Sequence, residues 1–121
     1  MSAYKRADRV AHRIKLEIAD LLAKEVRDPR LGFVTVVDVS LSDDLQQARV
    51  FVGLSEGRDS KAVFSVLKAA TGYLRERLAR RLALRRVPVL TFLPDTETDR
   101  VAHLLELIER VNDDATNVRG S

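Results

Sequence analysis

The spacing of apolar residues changes once, abruptly, near residue 28, and that change constrains the fold more than any other feature of the chain. Val10, Ile14, Ile18, Leu21 and Leu22 recur at helical spacing, opposite Arg9, Arg13, Asp20 and Lys24. This predicts an amphipathic helix over residues 4–26. Asp28-Pro29 stops it, because a residue preceding proline is driven out of the α region, and Leu31-Gly32 completes a turn. From there the period is two. Phe33, Val37, Val39 and Leu41 share one parity, and so do Ala48, Val50, Val52 and Leu54. Two alternating runs joined by a short Ser42-Asp43-Asp44 turn predict an antiparallel hairpin.

The helical period then returns. Lys61–Ala70 places Val63, Val66, Leu67 and Ala70 inward, and Leu74, Leu78 and Leu82 continue the stripe beyond Gly72. An interior glycine costs a helix about 0.5–1 kcal/mol relative to alanine, so Gly72 is expected to mark a kink or a junction of two helices. Val87-Pro88 closes the segment, Val89–Leu93 is a third strand ended by Pro94-Asp95, and Glu97–Val111 is a last amphipathic helix. The expected order is α-β-β-α-α-β-α. An α+β domain with a three-stranded sheet and helices on one face satisfies it. Residues 1–111 read as one domain and 112–121 as a polar, disordered tail.

Charge is segregated along this framework. Residues 1–15 carry five basic side chains against one acidic, a net of +4, and residues 68–86 carry seven against one, a net of +6. The stretch between them nets −3 and residues 87–121 net −4, which leaves only +3 for the whole chain. Two basic blocks in an otherwise acidic chain predict a polyanion-binding surface. Its candidate residues are Arg6, Arg9 and Arg13 of the first block, with Arg75, Arg77, Arg80, Arg81, Arg85 and Arg86 of the second. Arg77 and Arg81 should flank the core stripe, while Arg75 and Arg80 should point outward. Gly72 joins them, since a helix beginning there would offer free N–H groups to phosphate. Close packing of that helix against the sheet is the competing explanation for the glycine. Phe33, Phe51 and Phe92 fall on strands and are expected in the core, which leaves Tyr73 as the candidate for base stacking.

Other classes of function lack residues to support them. The chain has no Cys, which excludes disulfides and thiolate metal sites. His12 and His103 lie on different helices without metal-ligand spacing, and Asp95-x-Glu97-x-Asp99 lacks the glycine and distal glutamate of a calcium loop. No P-loop or Gly-x-Gly-x-x-Gly calls for a nucleotide, so catalytic residues, metal and cofactor are all expected to be none. Residues 1–15 lack the apolar core of a secretory signal and no apolar run reaches the ~20 residues of a membrane span, so a soluble, cytoplasmic monomer is expected.

Several stretches together resemble the ribosome-binding factor A family. They are Arg6-Ala7-Asp8-Arg9-Val10, Asp28-Pro29-Arg30-Leu31-Gly32-Phe33-Val34-Thr35-Val36, the Ser42–Leu45 turn, Ala70-Thr71-Gly72, and the Leu82–Leu90 segment with its Leu84, Arg85, Val87 and Pro88. The resemblance spans residues 4–110 and implies a type II KH-like fold, α-β-β-α-α-β, in which an Ala-x-Gly kink replaces the Gly-x-x-Gly loop. It also implies an RNA-binding, non-enzymatic maturation factor. The expected partners are the immature small ribosomal subunit and its 16S rRNA, with help in late assembly and 5′-end processing, and release linked to a subunit-associated GTPase. The alternatives are a KH-like module with another RNA target, and a protein–protein adaptor docking through its last helix.

Overall fold

The computed structural model describes residues 3–96, together with Leu105 and Ile108. Helix α1 spans Ala3–Lys24, strands β1 and β2 span Val34–Leu41 and Gln47–Leu54, helix α2 spans Ser60–Leu82, and strand β3 spans Val89–Pro94. The sheet has the order β1-β2-β3. β1 and β2 are antiparallel, and β3 returns parallel to β2 after the α2 crossover. This is the expected α+β architecture.

Both helices lie on one face of the sheet. Ile14, Ile18 and Leu21 of α1 and Val63, Leu67, Leu74 and Leu78 of α2 are buried against Val36, Val39, Val50, Val52 and Leu90. The hairpin turn is closed by Ser42, whose backbone N–H donates to the Gln47 carbonyl and whose hydroxyl accepts from the Gln47 N–H. At the start of α2 the Asp59 carboxylate accepts from the N–H groups of Lys61 and Ala62. At its end Ala83 takes the left-handed conformation, with φ of 51°.

Two expectations are corrected here. First, β1 does not alternate throughout. Val36 pairs with Val52 and Asp38 with Phe51, so Val37 is an extra residue in a β-bulge. The bulge reverses the parity within the strand. Val36 and Val39 are the buried residues, Val37 is only half-buried, and Phe33, expected in the core, is 80% exposed. Phe51 and Phe92 are buried and half-buried, as expected.

Second, α2 is uninterrupted from Ser60 to Leu82, so the two helical stretches expected on either side of Gly72 are one element. Helical hydrogen bonding therefore continues through Gly72, and the N–H groups that follow it are taken by carbonyls four residues back. They are not free for phosphate. Of the expected last helix, Leu105 and Ile108 are helical and half exposed. The rest of it, and the tail at 112–121, lie outside the described residues.

Candidate nucleic-acid interface

The two basic blocks occupy different surroundings. Arg6, Arg9 and Arg13 stand on the outer face of α1, because the stripe Ala7, Ala11, Ile14 and Ile18 turns the other way into the core. All three are exposed, and they make no ion pair among the described residues.

The second block is largely engaged within the protein. Arg81 Nη1 donates to Glu17 Oε2 at 3.0 Å and to Asp20 Oδ2 at 2.7 Å, and its Nη2 lies 3.6 Å from Glu25 Oε2. Arg77 pairs with Glu25 at 3.2 Å. Its Nε donates to the Tyr73 hydroxyl, and its guanidinium carbon lies 5.3 Å from the centre of the Tyr73 ring. The Tyr73 hydroxyl and then the Glu25 charge raise the Arg77 pKa; bonds to Asp20 and Glu17 raise that of Arg81. Asp20 is held below its ordinary value by Lys24 and then Arg81. Both arginines flank the core stripe as expected.

Arg75 departs from expectation. Its Nε donates to the Pro88 carbonyl at 3.1 Å and its Nη2 to the Val87 carbonyl at 2.9 Å, so it fastens the α2–β3 connection instead of pointing outward. Arg80 does point outward, in an exposed pair with Glu76. Arg85 and Arg86 follow the Ala83 cap, exposed and without an ion pair among the described residues.

The ion pairs also order the helices. Moving from Arg77 to Arg81 along α2 moves from Glu25 back to Asp20 and Glu17 along α1, so the helices run antiparallel. The C-terminus of α2 reaches the level of Glu17, about one turn from Arg13. Arg80 lies near that end of α2, whereas the chain after Ala83 turns back along the helix and brings Val87 and Pro88 within reach of Arg75.

Gly72 is exposed, and a Cβ built on it would meet nothing within 4 Å. Close helix–sheet packing therefore does not account for this glycine. It adjoins a groove of about 410 Å³ between α2 and β3, lined by Phe64, Lys68, Thr71, Leu90, Phe92 and Pro94. The Thr71 hydroxyl turns back to the carbonyls of Leu67 and Lys68. Among the described residues, β3 is an edge strand of the sheet beside this groove.

The sequence missed one more surface. Phe33 stands beside a cavity of about 550 Å³ at the end of α1, with Arg27 on its rim. Its only signal was position, directly after a turn glycine and one residue before strand pairing begins at Val34. Among the described residues, no group of three or more His, Cys, Asp or Glu could hold a metal ion, and no helix is long and apolar enough to cross a membrane.

A mixed three-stranded sheet backed by two helices, with exposed arginines on the outer face of α1 and beyond the end of α2, defines a KH-like α+β module. The family model of ribosome-binding factor A matches residues 6–108. Proteins named ribosome-binding factor A are 41% identical over 118 residues in Syntrophus aciditrophicus, covering 97% of this chain and 96% of that one. The Coxiella burnetii protein is 47% identical over 105 residues, covering 87% and 88%. The crystal structure of ribosome-binding factor A from Thermus thermophilus superposes with a TM-score of 0.67 at 33% identity, covering 73% of this chain and 93% of that one. A model of the Thermus thermophilus protein, fitted into a cryo-EM map of its complex with the 30S subunit, matches with a TM-score of 0.62 at 33% identity, covering 72% and 92%. The chain belongs to the ribosome-binding factor A family.

Proposed function

We propose that this protein binds the immature small ribosomal subunit through its 16S rRNA and assists late assembly and 5′-end processing, acting as a cytoplasmic monomer. The observation that carries this is the set of exposed arginines Arg6, Arg9 and Arg13, without an ion pair among the described residues, on a member of a family with a relative fitted onto the 30S subunit. Arginine forks suit phosphate oxygens, and each phosphate they neutralise releases counterions, so binding has a steep salt dependence. Arg80, Arg85 and Arg86 extend this surface, and Gly72 offers bare backbone at the edge of the α2–β3 groove. Arg75, Arg77 and Arg81 shape the surface by holding its elements in place. Release of the factor falls to a GTPase on the subunit, since nothing in the motifs of this chain supplies an energy source.

Sedimentation of cell extract tests the proposal. The protein should travel with small subunits, the association should weaken steeply as salt rises, and cells lacking it should accumulate 16S rRNA with an unprocessed 5′ end. Association that is indifferent to salt would instead favour a protein–protein adaptor.

A further inference from the structure

The Phe33 cavity lies at the other end of α1 from the arginine cluster, roughly 20 Å from Arg13 at 1.5 Å per helical residue. Its floor is apolar, built by Leu22, Val26, Leu31 and Val34. Phe33 stands at its edge with the ring 80% exposed. A large ring left in water beside an apolar hollow marks a binding surface more often than an isolated exposed side chain does.

The segment presenting the ring is firmly held. The Asp28 carboxylate accepts from the Arg30 N–H and from both Nε and Nη2 of its guanidinium, at 2.7–3.0 Å. The Leu31 N–H donates to the Asp28 carbonyl, and the Ser55 N–H donates to the carbonyl of Phe33 itself. Arg58 reaches across from the β2–α2 loop, and its Nη1 donates to the Pro29 carbonyl. Gly32 makes this crossing possible. Its φ is +56°, and a Cβ there would sit 2.2 Å from Arg58 Nε. The backbone that presents the ring is therefore held before any ligand arrives, which lowers the ordering cost of binding.

Charge selects the ligand. Arg30 neutralises Asp28, whereas Arg27 on the rim and Arg58 behind the turn have no carboxylate partner among the described residues. A flat apolar ring with an exposed guanidinium beside it matches a base joined to its phosphate, whereas an apolar peptide would leave that charge unanswered. We propose that this cavity takes an unpaired nucleobase of single-stranded RNA, stacked on Phe33 with its phosphate on Arg27. The proposal rests on the RNA-binding function proposed above and adds a second, base-contacting point to it.

The test is fluorescence anisotropy on the full chain, with labelled oligoadenylate, oligouridylate and an abasic strand of equal length. Phe33→Ala should weaken binding of the two base-bearing strands by about fivefold to a hundredfold, the range of one lost stack, and leave abasic binding unchanged. Phe33→Trp should retain affinity, and Phe33→Leu should behave like Phe33→Ala although it stays apolar. Arg27→Ala should weaken all three strands. Each variant should keep its melting temperature, since the Phe33 ring is mostly in solvent. A folded Phe33→Ala protein that binds like the parent overturns the proposal, as does full rescue by Phe33→Leu, which would mark an apolar protein-docking knob. If the parent binds none of the strands or rRNA, the RNA-binding function itself fails, and this site fails with it.

Discussion

The N-terminal half of α1 and the C-terminal half of α2 look alike as sequence, each an arginine-rich stripe beside an apolar one. In the folded protein they do opposite things. Arg6, Arg9 and Arg13 face solvent with no ion pair among the described residues, whereas Arg77 and Arg81 are committed to Glu17, Asp20 and Glu25, and Arg75 to two carbonyls. The larger formal charge belongs to the more heavily committed block. Net charge along a chain counts cations without asking which already have a partner, and partnering decides how much field reaches a ligand.

That contrast can be broken most directly by reversing charge in each block. Changing Arg6, Arg9 and Arg13 together to Glu should lower subunit or rRNA binding by on the order of tenfold or more, and flatten the salt slope by roughly one per residue. The melting temperature should hardly move. Equal binding by the folded triple variant would remove the first block from the interface.

Arg81→Ala should do the reverse. It leaves Glu17 and Asp20 of α1, and Glu25 just beyond it, without their shared cation, so the melting temperature should fall by a few degrees, with RNA binding declining only as the folded fraction does. A specific loss of affinity in a variant of unchanged stability would return Arg81 to the binding surface.

Gly72→Ala sharpens the contrast at the groove. The backbone there is helical and the space beyond it is empty, so the change should stabilise by about 0.5–1 kcal/mol in a denaturant titration. Gly72→Val, if folded, should weaken RNA binding only where a strand approaches the bare backbone. Normal affinity would take Gly72 out of the interface.

The smallest effect is in acid. Asp28, held at about 2 by hydrogen bonds from the Arg30 guanidinium and N–H, and Asp20, lowered by Lys24 and Arg81, both have depressed folded-state values. Their contribution is fully present above the ordinary value of 3.8 and is lost as pH falls through the depressed ones. Asp28→Asn should remove part of the decline in melting temperature between about pH 4 and pH 2, while the triple arginine variant should leave that decline unchanged.

Much of this arrangement was legible in the sequence because its signals are local. The helical stripe ending at Asp28-Pro29, the hairpin turn at Ser42 and the proline that introduces β3 each act within a few residues. The placement of Arg77 and Arg81 beside the core followed from the leucines at 74, 78 and 82. The commitment of Arg75 did not, because its acceptors are carbonyls at Val87 and Pro88, twelve and thirteen residues on, and a carbonyl leaves no mark in a residue string. Gly72 misled for another reason. Its propensity cost is smaller than the packing of Val66, Leu67, Leu74 and Leu78 on either side, so tertiary contacts carry the helix through it. Phe33 was misplaced because a single bulged residue reverses every parity across it.

That bulge bears on which length changes the chain can absorb. With Val37 removed, residues 34–41 would alternate without interruption: Val34, Val36, Val39 and Leu41 toward the helices, Thr35, Asp38 and Ser40 away from them. Removing one residue from a paired strand ordinarily turns one half of it inside out. Here the shortened strand keeps every buried side chain on the side it already occupies, so the bulge is the stretch of β1 where one residue can be lost over evolutionary time, whereas a loss elsewhere in the strand turns an inward side chain outward.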